Sequence, residues 1–153
     1  MKLCNIAPAV IELNKPEYGR RWLLAEGSPK LLFIENETNF QRLYGTTAAS
    51  THVKDSINDH VVHGAADAIN PAKTGTKAAA HYEMTVAAVE SVLIRLRLTY
   101  SSASAGIFDR SFDTIFDDRK READEFYDTV IPADVSDDRK NVMRQSFGGS
   151  ITA

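Results

Sequence analysis

"AHYEMTVAAVESVLIRLRLT", residues 80–99, decides the fold class. In its first half Ala80, Tyr82, Met84 and Val86 alternate with His81, Glu83 and Thr85. In its second half Val92, Ile94, Leu96 and Leu98 alternate with Leu93, Arg95 and Arg97. Side chains of an extended chain point to opposite faces in turn, whereas a helix repeats its apolar residues every three or four. Two alternating runs separated by residues 87–90 therefore predict an antiparallel hairpin with one buried face. Arg95 and Arg97 fall on its wet face.

Upstream, "RWLLAEG" (21–27) and "KLLFIE" (30–35) read as two more strands around the turn composition Gly27-Ser28-Pro29. Residues 1–20 are weakly patterned, with Pro8 and Pro16 breaking any helix. Residues 44–77 read as loop, "HVVHG" (60–64) being a candidate short strand. Downstream of a linker-like stretch at 101–106 the period changes. Phe112, Ile115, Phe116, Ala123, Phe126, Tyr127 and Val130 recur at helical spacing, with Ser111 as a cap and Pro132 as a stop. Asp117 with Arg121 and Lys120 with Asp124 stand four residues apart on that helix. A shorter helix starts near Ser136 and carries Val142, Met143 and Phe147 on one side. The fold class is mainly β with C-terminal helices (α+β). The architecture is a partial antiparallel β-sandwich followed by one long and one short amphipathic helix. A few strands and two such helices leave apolar faces in want of a cover, which makes the chain read as part of something larger.

Composition narrows the function classes. The chain has 153 residues, 43% hydrophobic and 25% charged, as one globular domain would. A net charge of −3 gives no reason to expect nucleic acid or an anionic membrane as partner. One cysteine, Cys4, and no signal-like start point to a reducing, cytoplasmic setting. In that setting the sequon at Asn36-Glu37-Thr38 stays unmodified. His52, Asp55, Asp59, His60 and His63 lie close in sequence without any recognised metal-ligand spacing, so no metal is expected. "NPAKTGTK" (70–77) lacks the adjacent Gly-Lys of a phosphate loop. The 21 acidic residues single out no catalytic pair, and no nucleophile stands in a triad pattern. No catalytic residue and no cofactor is expected in the chain.

One longer likeness carries more. "WLLAEGSPKLLFIENETNFQRLYG" (22–45) resembles a run in family 63-like glycoside hydrolases, and similar stretches follow in order. They are "VKDSINDHVVHGAADAINPAKTGTKAAAHYEMTV" (53–86), "VLIRLRL" (92–98), "FDTIFDDRKREADEFYDTVIP" (112–132) and "RKNVMRQSF" (139–147). Such enzymes include mannosyl-oligosaccharide glucosidases and mannosylglycerate hydrolase-like proteins. The resemblance implies a partial β-sandwich domain at 1–100 and linker helices at 101–153 that lead toward an (α/α)6 catalytic barrel outside the chain. The parent would be an inverting α-glucosidase acting on oligosaccharides or glycosides, and this piece would be non-catalytic. Its partners would be that substrate, through the parent, and the barrel in the same molecule. It also explains why the buried run 31–34 gives way to the polar run 35–39: the loop sits at the sandwich edge and faces another domain. Asn36 and Asn39 would hold its shape, and Lys54 with Asp55 would pair there or meet the barrel near the substrate cleft. His52, residues 56–58 and everything after Phe147 depart from the family pattern. The competing reading is a stand-alone carbohydrate-binding or assembly β-sandwich module, which exposed aromatics on a concave sheet face would favour.

Overall fold

The structure, a computed structural model, describes residues 1–47, 50–101 and 106–151, the side chains of 149–151 aside. Most of the linker-like stretch, residues 102–105, lies outside the described residues. The chain divides into two compact units, Met1–Ala105 and Gly106–Ala153.

The first unit opens with three antiparallel strands, β1 (Lys2–Ala7), β2 (Val10–Lys15) and β3 (Gly19–Ala25). The two prolines read as helix breakers are turn residues. Pro8 and Ala9 link β1 to β2, and the Asn5 amide clips the turn by donating to the carbonyls of Ala7 (2.6 Å) and Val10 (3.1 Å). Pro16 opens a turn closed by a Tyr18 N–H to Lys15 carbonyl bond, and left-handed Gly19 (φ 65°) re-enters the ladder. Residues 1–20 thus hold two strands the weak pattern did not predict. Their inward set, Leu3, Ile11 and Leu13, is short and interrupted by polar residues that suit a half-solvated sheet.

β4 (Lys30–Ile34) leaves that sheet. After it come α1 (Phe40–Tyr44), α2 (Ser56–His63), a 3-10 turn at Ala66–Ala68, the two-residue β5 (Thr74–Gly75), β6 (Lys77–His81) and β7 (Leu96–Thr99). All pairings are antiparallel. The larger sheet runs β5-β1-β2-β3-β7 and the smaller is β4-β6. Phe33, fully buried, joins Leu3 and Ile11 in the core between the sheets, with Leu31 and Ala78 beside it. Leu32 and Ile34, which alternate with Phe33 along the strand, are also fully buried, and α2 packs against β4 as well. A strand covered on both faces needs no polar alternation, so "KLLFI" is apolar almost throughout.

The glycine at 75 is dictated by this crossing. A Cβ there would lie 2.2 Å from the Ile34 carbonyl oxygen, and Thr76 N–H donates to that same oxygen at 3.1 Å. Only a residue without a side chain lets β5 and β4 approach so closely.

Two expectations are overturned. "HVVHG" belongs to helix α2, closed by left-handed Gly64 (φ 69°), whose N–H bonds the His60 carbonyl. Its β-branched valines are the exposed side of that helix, and Ser56 is the buried one. Nor do residues 80–99 form a hairpin. β6 pairs with β4, β7 pairs with β3, and residues 82–95 belong to no strand. Local alternation reports that residues are extended; which edge they join is settled by long-range packing. The supposed buried face is also the open one, since Leu96 and Leu98 are 51% and 62% exposed. Arg95, expected on the wet face, is partly buried and pairs with Glu26 at 3.4 Å.

The second unit is a pair of helices, α3 (Arg110–Val130) and α4 (Asp137–Ile151). Asp109, rather than Ser111, caps α3: its carboxylate accepts from the Ser111 N–H at 2.9 Å and the Ser111 hydroxyl at 2.6 Å. Pro132 follows the last turn as expected. The anticipated pairs rearrange as well. Arg121 bonds Asp118 (2.9 Å) and Glu125 (3.2 Å), and Asp124 takes Arg144 of α4. Arg144 also lies over the Tyr127 ring at 4.6 Å, and Phe147 stacks on that ring at 6.3 Å. No helix among the described residues is long and apolar enough to cross a membrane.

Candidate functional site

The polar run after β4 is fastened at nearly every residue. Glu35 N–H donates to the His52 carbonyl (2.7 Å) and Lys54 N–H to the Glu37 carbonyl (2.9 Å). Thr76 donates its hydroxyl to the Glu35 carboxylate (2.6 Å) and accepts from Asn36 N–H (2.8 Å). Each of these backbone groups would otherwise lack a ladder partner where the strand ends. Asn36 is tied through its backbone, on the side of β5 and β6.

Asn39 does more. Its side-chain oxygen accepts from Arg42 N–H at 3.0 Å and so caps α1, while its amide nitrogen donates to both Asp55 oxygens, at 3.2 and 3.0 Å. Arg42, in the last turn of α1, donates to Asp55 at 3.1 Å and stands 4.0 Å from Asp59 of α2. Asp55 precedes α2, so one carboxylate links the two short helices. Thr38, Asn39, Arg42, Leu43, Lys54 and Asp55 line a shallow hollow of about 330 Å³. Of the four residues singled out from the sequence, Asn39, Lys54 and Asp55 meet there and Asn36 does not line it. Asp55 bonds Arg42 and Asn39, where a pairing with Lys54 was one of the two alternatives read from the sequence.

Partial burial pushes the Asp55 carboxyl upward, but hydrogen bonds from Asn39 and Arg42 outweigh it and hold the group below its ordinary range. A general acid for glycoside hydrolysis needs the opposite shift. Asp55 and Asp59 share one arginine, Arg42, which lies 3.1 Å from the first and 4.0 Å from the second. What the hollow offers is recognition: the Arg42 and Lys54 cations beside a fixed carboxylate, and an apolar edge at Leu43. Arg42 was missed in the sequence. The signal for it was Asn39 as a cap with glycine at 45, the two ends of a short helix.

The histidines and acids first weighed as metal ligands go separate ways. His60 meets Lys30 Nζ at 2.8 Å through Nε2 and the Ala65 carbonyl at 2.9 Å through Nδ1, while His52 contacts Thr51.

Two further hollows lie on the first unit. One, of about 330 Å³, is walled by the Glu26–Pro29 turn, residues 81–84 and Leu93-Ile94. Tyr82 donates to the Glu26 carbonyl at 2.7 Å there, and burial, then the Glu26 charge, pushes its phenol up. The other, about 500 Å³, lies on the larger sheet beside Leu13 and Leu98 and is rimmed by Tyr18, Arg21 and Tyr100. Arg21 sits 4.0 Å above the Tyr100 ring and Lys15 4.8 Å from that of Tyr18.

No protein-family model matches the chain, and no solved structure does. A relative is the uncharacterized protein YMR196W of Saccharomyces cerevisiae, 36% identical over 131 residues that cover 79% of this chain and 12% of the relative. The chain thus spans about an eighth of the length of the curated relative it matches.

Proposed function

We propose that the chain is the non-catalytic junction between a β-sandwich and its linking helices in a family 63-like glycoside hydrolase. Its parent would be an inverting, cytoplasmic α-glucosidase acting on oligosaccharides or glycosides. The observation that carries this reading is the uncovered part of the larger sheet. The two-stranded sheet packs over Leu3 and Ile11 and leaves Leu96, Leu98 and Tyr100 exposed. A sheet with half its apolar face bare suits a piece whose remaining cover lies elsewhere in a longer chain. The match to about an eighth of a much longer relative is in keeping with it, as is the ordered resemblance over most of the sequence. The Asn39–Asp55–Arg42 cluster then serves as a rigid polar ledge facing the barrel, with Lys54 beside it.

The test compares two products of the same gene: residues 1–153, and the complete reading frame around them. Glucose release from α-linked glucosides is expected from the complete product and not from the 153-residue chain. Hydrolysis by the short chain, or none by the complete product, would overturn the reading.

One observation favours the second reading, a carbohydrate-binding module. Tyr18 and Tyr100 are exposed beside the hollow on the larger sheet, where sugar rings would stack. Titrating the chain with malto-oligosaccharides while following tyrosine fluorescence separates the two readings. Saturable binding lost in Tyr100→Ala supports the module, and a flat titration removes it.

A further inference from the structure

We infer that two copies of this chain pair edge to edge along β7, antiparallel, about a twofold axis at Leu98. This concerns the 153-residue chain by itself and does not rest on the glycosidase reading. β7 is the last strand of the larger sheet, with β3 on one side. Its register pairs Leu24 with Arg97 and Trp22 with Thr99, and Glu26 N–H continues it by donating to the Arg95 carbonyl at 3.0 Å. In an antiparallel ladder bonded pairs alternate with non-bonded ones, so residues 95, 97 and 99 direct their peptide groups to β3. The N–H and C=O of Leu96 and Leu98 therefore point away from it, a template for another strand.

The side chains choose which strand. Leu96 and Leu98 project from the same sheet face as Leu23, the cross-strand mate of Leu98. Tyr100, next on that face, is 77% exposed. If two β7 strands pair about Leu98, then Leu98 meets Leu98 of the second copy and each Leu96 meets a Tyr100. On the other face each Arg97 meets a Thr99. Every apolar residue gains an apolar mate and no like charges are opposed. Centring the pair on Leu96 sets Arg97 against Arg95, and centring it on Arg97 sets two Arg97 side chains together. Centring it on Thr99 pairs Leu98 with Tyr100 and Arg97 with Ser101 and gives Leu96 no mate among the described residues. The edge is therefore self-complementary in one register, the isologous geometry a twofold dimer requires.

The experiment is site-specific cross-linking of the full chain in a Cys4→Ser background. Directly opposed Cα atoms of a bonded pair lie about 5.5 Å apart, within disulfide reach. Leu98→Cys is expected to give a disulfide-linked dimer on mild oxidation. Leu96→Cys alone should not, yet should cross-link when mixed with Tyr100→Cys. Sedimentation supplies a readout free of cysteine. Thr99→Glu places a carboxylate opposite each Arg97 and should tighten the dimer about 2- to 30-fold, with Thr99→Lys loosening it by a similar factor. Three results would overturn the proposal: sedimentation as a monomer at every concentration up to about 1 mM, equal self-cross-linking of Leu96→Cys and Leu98→Cys, or Thr99 variants that shift association in the same direction.

Discussion

At the scale of single residues, Asp55 is where the structure is most committed. Two side chains donate to it, the Asn39 amide and the Arg42 guanidinium of α1, and it stands immediately before α2. Because the folded state holds its carboxyl below the ordinary value near 3.8, ionised Asp55 stabilises the fold above that value. The contribution disappears as pH falls through the lower folded value. Asp55→Asn should therefore cost about 1 kcal/mol near pH 7, and the gap from the unaltered chain should narrow steadily below pH about 4. Urea titrations at several pH values measure it. A gap independent of pH would show that the Arg42 pairing contributes nothing. The sequence pointed to Asn39 as a residue that holds the loop's shape through backbone bonds, and to Asp55 as a charge paired with Lys54 or facing the barrel; the bond between Asn39 and Asp55 needed the fold. Arg42 was not legible in the same way: an arginine on an exposed short helix resembles any other surface charge until the fold brings residue 55 beside it.

At the scale of elements, β4 and the corner at Gly75 carry the first unit. Phe33→Ala removes the side chain that joins the sheets and should cost about 3–5 kcal/mol in urea unfolding. Gly75→Ala should cost about 2 kcal/mol or more, because its Cβ would meet the Ile34 backbone, which cannot rotate away. If Gly75→Ala unfolds at the same urea concentration as the unaltered chain, β4 and β5 do not approach as described. In the second unit, Arg144→Ala should lower helix stability by about 1 kcal/mol, since it loses both Asp124 and the Tyr127 ring. Helices α3 and α4 were legible because a stripe at helical spacing is a local property and Pro132 a local stop. α2 was misread for the same reason in reverse: two adjacent valines favour a strand locally, while the left-handed Gly64 cap and the burial of Ser56 go with a helix.

At the scale of the whole molecule, the sequence conveyed the fold class, antiparallel strands first and helices last, and the bare apolar surface that goes with it. It did not convey how the strands are shared between two sheets. β3 and β4 are neighbours in sequence but belong to different sheets, as do β5 and β6. The turns that separate them look like hairpin turns. The choice is made by burial of Leu32, Phe33 and Ile34 far along the chain, which no local pattern records. The exposed face of β7 should make association of the isolated chain weaken with mild denaturant before its helices melt. Light scattering and circular dichroism followed together through a urea series check this, and simultaneous loss of both signals would contradict it. The proposed origin of that bare face is a parent glycosidase. The most direct measurement is a proton NMR time course of the complete gene product acting on an α-glucoside, watching the anomeric signals of the released glucose. An inverting parent predicts that β-glucose appears first and α-glucose only by later mutarotation. Release of α-glucose first, or no release at all, would contradict the account.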